Sequence, residues 1–343
     1  MFFRRRSRVA PLTTAGATAL ALALAGCSAE GPGTTSQGPL AITFLQKQGD
    51  QGYFIDEAAG AKAKAAELGV DLTVVDLGND RDRALKEART AVAKKARGLI
   101  AVVPDPSVGP ELVALTRQAG IPLLSTDDQI CADYPDPSAC FPNGLVPRVG
   151  FNGATMGASV GERAATEYAR AGWKTADTSM LSIWNNDIPV CRDRVNAAAD
   201  AFSVHAGAVL KNTKVGTANT VEDARRRTAY ALASSPGVKH WVVWGCNDEN
   251  VEGGIKALSD AGFGPDNVIG IGIGAYLACK DWLPGKPSAM RAALLIKGTD
   301  VGALAVQQMV DRLKGHKDLP RETIVPAIMV DPSNWQASGA LCT

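Results

Sequence analysis

The chain has 343 residues, with 36 Lys plus Arg against 35 Asp plus Glu, a formal charge of +1, and 46% hydrophobic against 21% charged residues. Charge this evenly balanced argues against a nucleic-acid or strongly acidic partner, and the apolar fraction is that of an ordinary folded globular protein. The length suits two lobes of roughly 130 to 150 residues, each able to bury its own core.

The amino-terminal segment stands apart. Arg4, Arg5, Arg6 and Arg8 form a basic start, Ala15 to Ala25 is a small-residue apolar run, and the run ends in Leu24-Ala25-Gly26-Cys27. Residues 1–26 therefore read as an export signal, too short for a membrane-spanning helix in the mature protein. The L-A-G-C ending resembles a bacterial lipobox, which implies lipidation of Cys27 and an extracytoplasmic protein anchored to the cell membrane; an ordinary secretory signal is the alternative. The signal carries four Arg and no acids, so its removal takes the formal charge from +1 to −3. The Arg5-Arg6 pair leaves twin-arginine and Sec export both open. Residues 27–39, rich in Gly, Ser and Thr, cannot build a core and are expected to be a flexible tether.

From residue 41 onward short apolar runs alternate with amphipathic stretches. Strands are predicted over 41–45, 71–75, 98–103, 122–125, 148–151, 179–184, 208–211, 240–244, 268–273, 289–295 and 323–329. Helices are predicted over 55–68, 81–96, 109–119, 154–171, 190–205, 221–234, 250–261 and 301–313, with stops at Gly69, Gly120, Gly172, Gly207, Gly262 and Gly315. This alternation predicts α/β architecture with doubly wound parallel sheets. Both halves open on an apolar strand, a polar loop and a helix. Two such lobes facing each other would form a cleft between their strand ends and close by hinging.

The stretch AITFLQKQGDQGYF, Ala41 to Phe54, is the most telling. A buried strand delivers Lys47, Gln48, Asp50 and Gln51, then the rings of Tyr53 and Phe54, to one sheet edge. Flat rings beside an ammonium and an amide suit a carbohydrate, whose C–H faces stack while its hydroxyls need donors and acceptors. The duller alternative is that both rings merely cap the sheet core.

Six cysteines follow Cys27, an even number for an oxidising compartment. Cys131 and Cys140 bracket a turn-rich insert and are expected to pair. Cys191, Cys246, Cys279 and Cys342 can pair in three ways, and Cys246 is either a free thiol or half of a disulfide with Cys191. No C-x-x-C occurs, and His205, His240 and His316 lack ligand spacing, so neither a metal nor a cofactor is expected.

Several segments together carry a resemblance: Phe44-Leu45-Gln46-Lys47-Gln48, Thr126-Asp127-Asp128-Gln129, Val238-Lys239-His240-Trp241, Gly245-Cys246-Asn247-Asp248 with Gly253-Gly254, and Ile269-Gly270-Ile271-Gly272-Ile273. From about residue 40 to about 336 the chain resembles the pentose- and hexose-binding proteins of ABC importers, of the type I periplasmic binding fold, the arabinose binders most of all. The resemblance implies two discontinuous lobes, 40–151 plus 298–326 and 152–297 plus 327–343. Three segments would join them, near Gly150 to Gly153, Ile296 to Thr299 and Val325 to Ile328. It also implies a monomer that captures a monosaccharide (pentose, hexose, deoxysugar or polyol) and hands it to a membrane permease. Reporting the sugar to a chemoreceptor or sensor kinase is the alternative.

Carried over by position, the resemblance sets Lys47, Gln51, Tyr53, Phe54, Asp127 and Asp128 on one side of the cleft. Asn152, Arg194, Cys246, Asn247, Gly274 and Leu277 fall on the other. Carboxylates accepting from adjacent hydroxyls and an arginine forking onto ring and hydroxyl oxygens make charge-assisted bonds. The bland alternatives are a turn-capping pair for Asp127 and Asp128 and a solvated helix start for Arg192 and Arg194. Ile269 to Gly274 reads as a buried strand rather than a dinucleotide loop, and Arg225 to Arg227 as a solvated face. The chain departs from the arabinose-binding pattern at Gln51 and Tyr53, where that pattern has Glu and Trp, and at Cys246, Gly274 and Leu277, where it has Met, Asn and Asp. These departures imply a ligand other than L-arabinose held in the same way, with Tyr276, Trp184, Asn185 or Asp187 refilling the site. An enzyme is not expected: there is no Ser-His-Asp or Cys-His set, and Asp127 and Asp128, adjacent on a strand end, are expected to point to opposite sides.

Overall fold

Apolar runs bounded by polar loops become the strands of two sheets. In the computed structural model, which describes residues 40–131, 140–141, 145–283 and 285–342, the first sheet contains β1 (Ala41–Gln46), β2 (Asp71–Asp76), β3 (Gly98–Ala101), β4 (Leu123–Thr126), β5 (Arg148–Gly150) and β11 (Glu322–Ile324), ordered β11-β5-β4-β3-β1-β2. The second contains β6 (Thr178–Trp184), β7 (Lys211–Gly216), β8 (His240–Gly245), β9 (Val268–Gly274), β10 (Met290–Leu295) and β12 (Ile328–Val330), ordered β12-β10-β9-β8-β6-β7. The proposed export signal, tether and Cys27 lie outside the described residues, as does most of the insert between Cys131 and Cys140.

Phe44 shows the parallel register: it lies opposite Val74 of β2 on one side and Ile100 of β3 on the other. Among the described residues only β10 and β12 pair antiparallel. Parallel neighbours need long crossovers, and the helices that make them cover both sheet faces. That double burial is why GLIA of β3, HWVVWG of β8 and VIGIGIG of β9 are nearly continuous apolar runs, and all but His240 in them are buried.

In each sheet the strand order reverses once. β1 lies between β2 and β3, and β6 between β7 and β8, so the loops leaving these strands diverge to opposite faces and open a crevice at the carboxyl ends. The chain passes between sheets three times: between β5 and α4 (Gly153–Ala171), which packs beside α5 (Pro189–Ala206); between β10 and α9 (Gly298–Gly315), which packs on α1 (Gly52–Leu68); and between β11 and β12.

The structure shifts some predicted elements. The strand expected at 208–211 instead runs Lys211–Gly216, a sheet edge whose sequence, KNTKVG, is too polar to show buried-strand character. The single strand expected at 323–329 is two, one in each sheet, parted at Val325-Pro326-Ala327; Pro326 has no backbone N–H for a continuous ladder. The last long helix runs through Gly315, and His316, at φ 54°, takes the left-handed terminating position.

Close helix contact carries the site-bearing helix α5. A methyl group built on Gly157 of α4 would lie 2.0 Å from the carbonyl oxygen of Arg194, and one on Gly161 would lie 2.2 Å from that of Ala198. Only glycine permits this approach, so α5 is seated against α4 backbone to backbone. Gly157→Val is expected to push the helices apart and destabilise the protein by about 1–3 kcal/mol, read as a lowered thermal midpoint by circular dichroism. An unchanged midpoint would contradict the contact.

Candidate functional site

β1 ends at Gln46, whose Nε2 donates to the Phe54 carbonyl at 2.9 Å and folds the 47–51 loop over the sheet edge. α1 starts immediately afterwards, so Tyr53 and Phe54 sit in its first turn. Both are buried, their rings edge to face at 5.1 Å, with Phe151 6.1 Å from Tyr53. Lys47 Nζ lies 5.8 Å from the centre of the Phe54 ring and 3.8 Å from Asp128 Oδ2.

β4 stops at Thr126, and Asp127 adopts the left-handed region at φ 58°. Arg148 holds it there by donating from Nη1 to the Asp127 carbonyl, and Tyr53 Oη donates to Asp127 Oδ1 at 2.5 Å. This turn breaks strand alternation. Asp127 and Asp128 therefore line the same cavity, rather than pointing apart as adjacent strand residues would.

The opposite wall comes from the second sheet. A disulfide joins Cys191, at the start of α5, to Cys246, at the end of β8, with Cα atoms 4.8 Å apart; the other pairs are Cys131–Cys140 and Cys279–Cys342. Cys246 therefore has no free thiol to offer. Closing a loop with a sequence separation of 55 constrains the unfolded chain by ~4 kcal/mol. One turn beyond Cys191, half-buried Arg194 donates from Nη1 to the Cys246 carbonyl at 2.9 Å, and its Nε, shielded from solvent, has no hydrogen-bond partner among the described residues. Asn247 caps α7 (Asp248–Asp260): its Oδ1 accepts from Asn250 N, and its Nδ2 donates to the Asn219 carbonyl at 3.3 Å. β9 ends in a left-handed turn at Gly274 and Ala275, which presents the Tyr276 hydroxyl. Buried Asp248 anchors that turn by accepting from Leu277 N at 3.0 Å and Ala278 N at 3.3 Å.

These walls enclose a cavity of about 670 Å³. Lys47, Gln51, Tyr53, Phe54, Asp127, Asp128, Arg194, Cys246, Asn247 and Gly274 all line it. Asn152 does not: it is exposed and its Oδ1 accepts from Thr155 N, capping α4. Leu277 is also outside the lining, serving through its backbone. Of the residues considered for refilling the site, Tyr276, Asn185 and Asp187 line the cavity. Trp184 is buried beside it, under Lys214. The Ala218–Thr220 loop was missed because its strand was misplaced. Glu249 lies outside the lining but its carboxylate accepts from Gln51 and Tyr276, which line it; nothing local distinguishes it from a first-turn helix acid. Among the described residues no cluster of three or more His, Cys, Asp or Glu could hold a metal.

Burial dominates the electrostatics. It raises Asp127 to about 6, against the opposing hydrogen bond from Tyr53 and with Asp128 adding repulsion. Burial pushes the Glu57 carboxyl well above its ordinary range, with Asp127 adding to the rise. Arg194 is lowered by burial and partly restored by Asp127 and Asp128. Burial also raises Asp248 to about 7, against hydrogen bonds from the turn it anchors.

Residues 42–317 match the periplasmic binding protein domain family, and the chain belongs to that family. It is similar to the ABC transporter L-arabinose-binding periplasmic protein of Azospirillum brasilense, 29% identical over 303 residues, 87% of this chain and 88% of that one. The L-arabinose-binding periplasmic protein of Escherichia coli (strain K12) is 26% identical over 257 residues, 75% and 76% of the two chains. Among solved structures, an ABC transporter periplasmic solute-binding protein from Actinobacillus succinogenes with bound D-allose superposes with a TM-score of 0.72 at 20% identity, covering 88% of this chain and 100% of that one. The fold is the type I periplasmic binding fold.

The raised acids set a pH dependence. Folded Asp127, Asp248 and Glu57 keep protons that the unfolded chain loses near pH 4, so their contribution to stability falls as pH rises from about 4 through about 7. The ligand-free protein is expected to melt higher at pH 5 than at pH 8, and Asp248→Asn to flatten part of that difference in a thermal-melt series.

Proposed function

We propose that this protein is an extracytoplasmic, lipid-anchored receptor that captures a monosaccharide by closing two lobes on it and delivers it to an ABC permease. The anchor is lipidated Cys27, the tether residues 27–39, and the lobes 40–151 plus 298–326 and 152–297 plus 327–343, hinged at the three passages between sheets. The observation that carries the reading is the half-buried Arg194, whose shielded Nε has no partner among the described residues, opposite Asp127 and Asp128 and beside Tyr53 and Phe54. Carboxylates accept from vicinal hydroxyls, the guanidinium donates to ring and hydroxyl oxygens, Lys47 adds a further donor, and the rings pack on C–H faces. The similarity to arabinose-binding relatives supports a sugar of this size. Tyr276, in a wall where their pattern has additional polar groups, favours a deoxysugar, another pentose or hexose, or a polyol.

A thermal-shift screen of the unfolded and refolded soluble head against pentoses, hexoses, deoxysugars and polyols tests this, since a ligand of the folded form alone raises the midpoint. One strong hit is expected. Asp128→Ala and Arg194→Ala should each weaken that ligand by about 2–5 kcal/mol, each leaving a buried charge unpaired. Silence across the panel, or full affinity in both variants by calorimetry, would overturn the reading.

A hydroxyl donating to Asp127 favours the ionised carboxylate, so binding should expel a proton and weaken with acid below about pH 6. Asp127→Asn is expected to lose that dependence, measured by calorimetry across pH.

A further inference from the structure

Gln51 and Glu249 are 198 residues apart and belong to different lobes, yet their side chains meet: Gln51 Nε2 donates to Glu249 Oε1 at 2.9 Å. The same nitrogen lies 3.2 Å from the Tyr276 hydroxyl, which itself donates to Glu249 Oε2 at 2.7 Å. Both carboxylate oxygens are thus satisfied, one from within the second lobe and one from across the cleft. The second-lobe half is built in advance, because Asp248 clamps the turn carrying Tyr276 and Glu249 lies in the first turn of α7. The first-lobe half is also rigid in its backbone. The Gln51 carbonyl accepts from Phe54 N and Ile55 N, while its side chain makes no cap to α1 and is left to reach across.

The contact lies beside a passage between the lobes. Tyr276 lines the main cavity on one side and, on the other, a pocket of about 180 Å³ shared with Ile296, Lys297 and Thr299. We infer that Gln51, Glu249 and Tyr276 form an interlobe latch that holds this edge of the cleft closed and sets how long ligand is retained. Gln51 is then a positioning residue, spending its amide on the opposite lobe rather than on ligand. The residue type follows from the geometry. A carboxylate at position 51 would face Glu249 with like charge, whereas an amide donates to it with a charge-assisted bond. The latch biases the lobes because the bond exists only when they are together.

The consequence for ligand rests on the hinged-receptor reading, but the latch itself is measurable without ligand. Small-angle scattering and an interlobe fluorophore pair on the ligand-free protein should show Gln51→Glu more open than wild type, Glu249→Gln intermediate, and the swapped double variant Gln51→Glu with Glu249→Gln restored, since it again pairs one amide with one carboxylate. Gln51→Ala, which removes the bond without repulsion, serves as a second probe should Gln51→Glu melt early. Where a sugar has been found, Gln51→Glu should release it about tenfold faster or more, and the swap should restore retention. Equal lobe separation in wild type, Gln51→Glu and Gln51→Ala, or a swapped variant as loose as Gln51→Glu, would overturn the latch. Failure of every sugar to bind, with the ligand-free series still ordered as expected, would count against the receptor reading and leave the latch standing.

Discussion

Arg194 is a guanidinium half withdrawn from water, and such a charge is tolerated only where opposite charges and hydrogen bonds replace the hydration it loses. Here Asp127 and Asp128 supply the charge from the facing lobe, and the Cys246 carbonyl supplies a bond from its own. The supports for each partner follow from this. Asp127 is held in a left-handed conformation by Arg148 and by the Tyr53 hydroxyl. Arg194 is set in place by a disulfide at the start of its helix and by glycines that let α4 and α5 touch through their backbones.

This arrangement is possible because both lobes present the same part of their topology to each other. Loops diverge at a switch point, so polar side chains can gather there without interrupting the apolar strands beneath. Lys47 follows β1, Asp127 and Asp128 follow β4, Cys246 and Asn247 follow β8, and Tyr276 follows β9. The core supplies rigid strand ends, and the loops carry the polar side chains that line the cavity.

Carboxylates raised by burial run through both lobes. Glu57 and Asp127 lie under the first wall, and Asp248 clamps the second. Each costs stability when ionised; Asp127 accepts from the Tyr53 hydroxyl and Asp248 from two backbone N–H groups, whereas neither Glu57 carboxylate oxygen has a hydrogen-bond partner among the described residues. The protein thus carries modest destabilisation at neutral pH in the elements around the cavity.

Much of this was readable from the chain. The α/β alternation and the helix ends at Gly69, Gly120, Gly172 and Gly207 follow from periodicity and glycine punctuation, and Lys47, Tyr53 and Phe54 from the strand–loop–ring order of residues 41–54, which are local properties; Asp127, Asp128 and Arg194 as part of a candidate wall are what the resemblance to sugar-binding proteins implies. The edge strand at Lys211–Gly216 was hidden because an edge needs no apolar pattern, and the division of the last strand at Pro326 because both pieces are short. The sequence left three ways of pairing the second-lobe cysteines, because pairing depends on Cα separation and not on spacing along the chain. Tertiary structure alone turned Asp127 and Asp128 to one side through a left-handed residue and spent Asn152 on a helix cap. It also brought Gln51 to Glu249, a contact across 198 residues that no local pattern encodes. Local physics determines which elements form; which side chains face one another across a cleft is decided by how two separately wound sheets are set against each other.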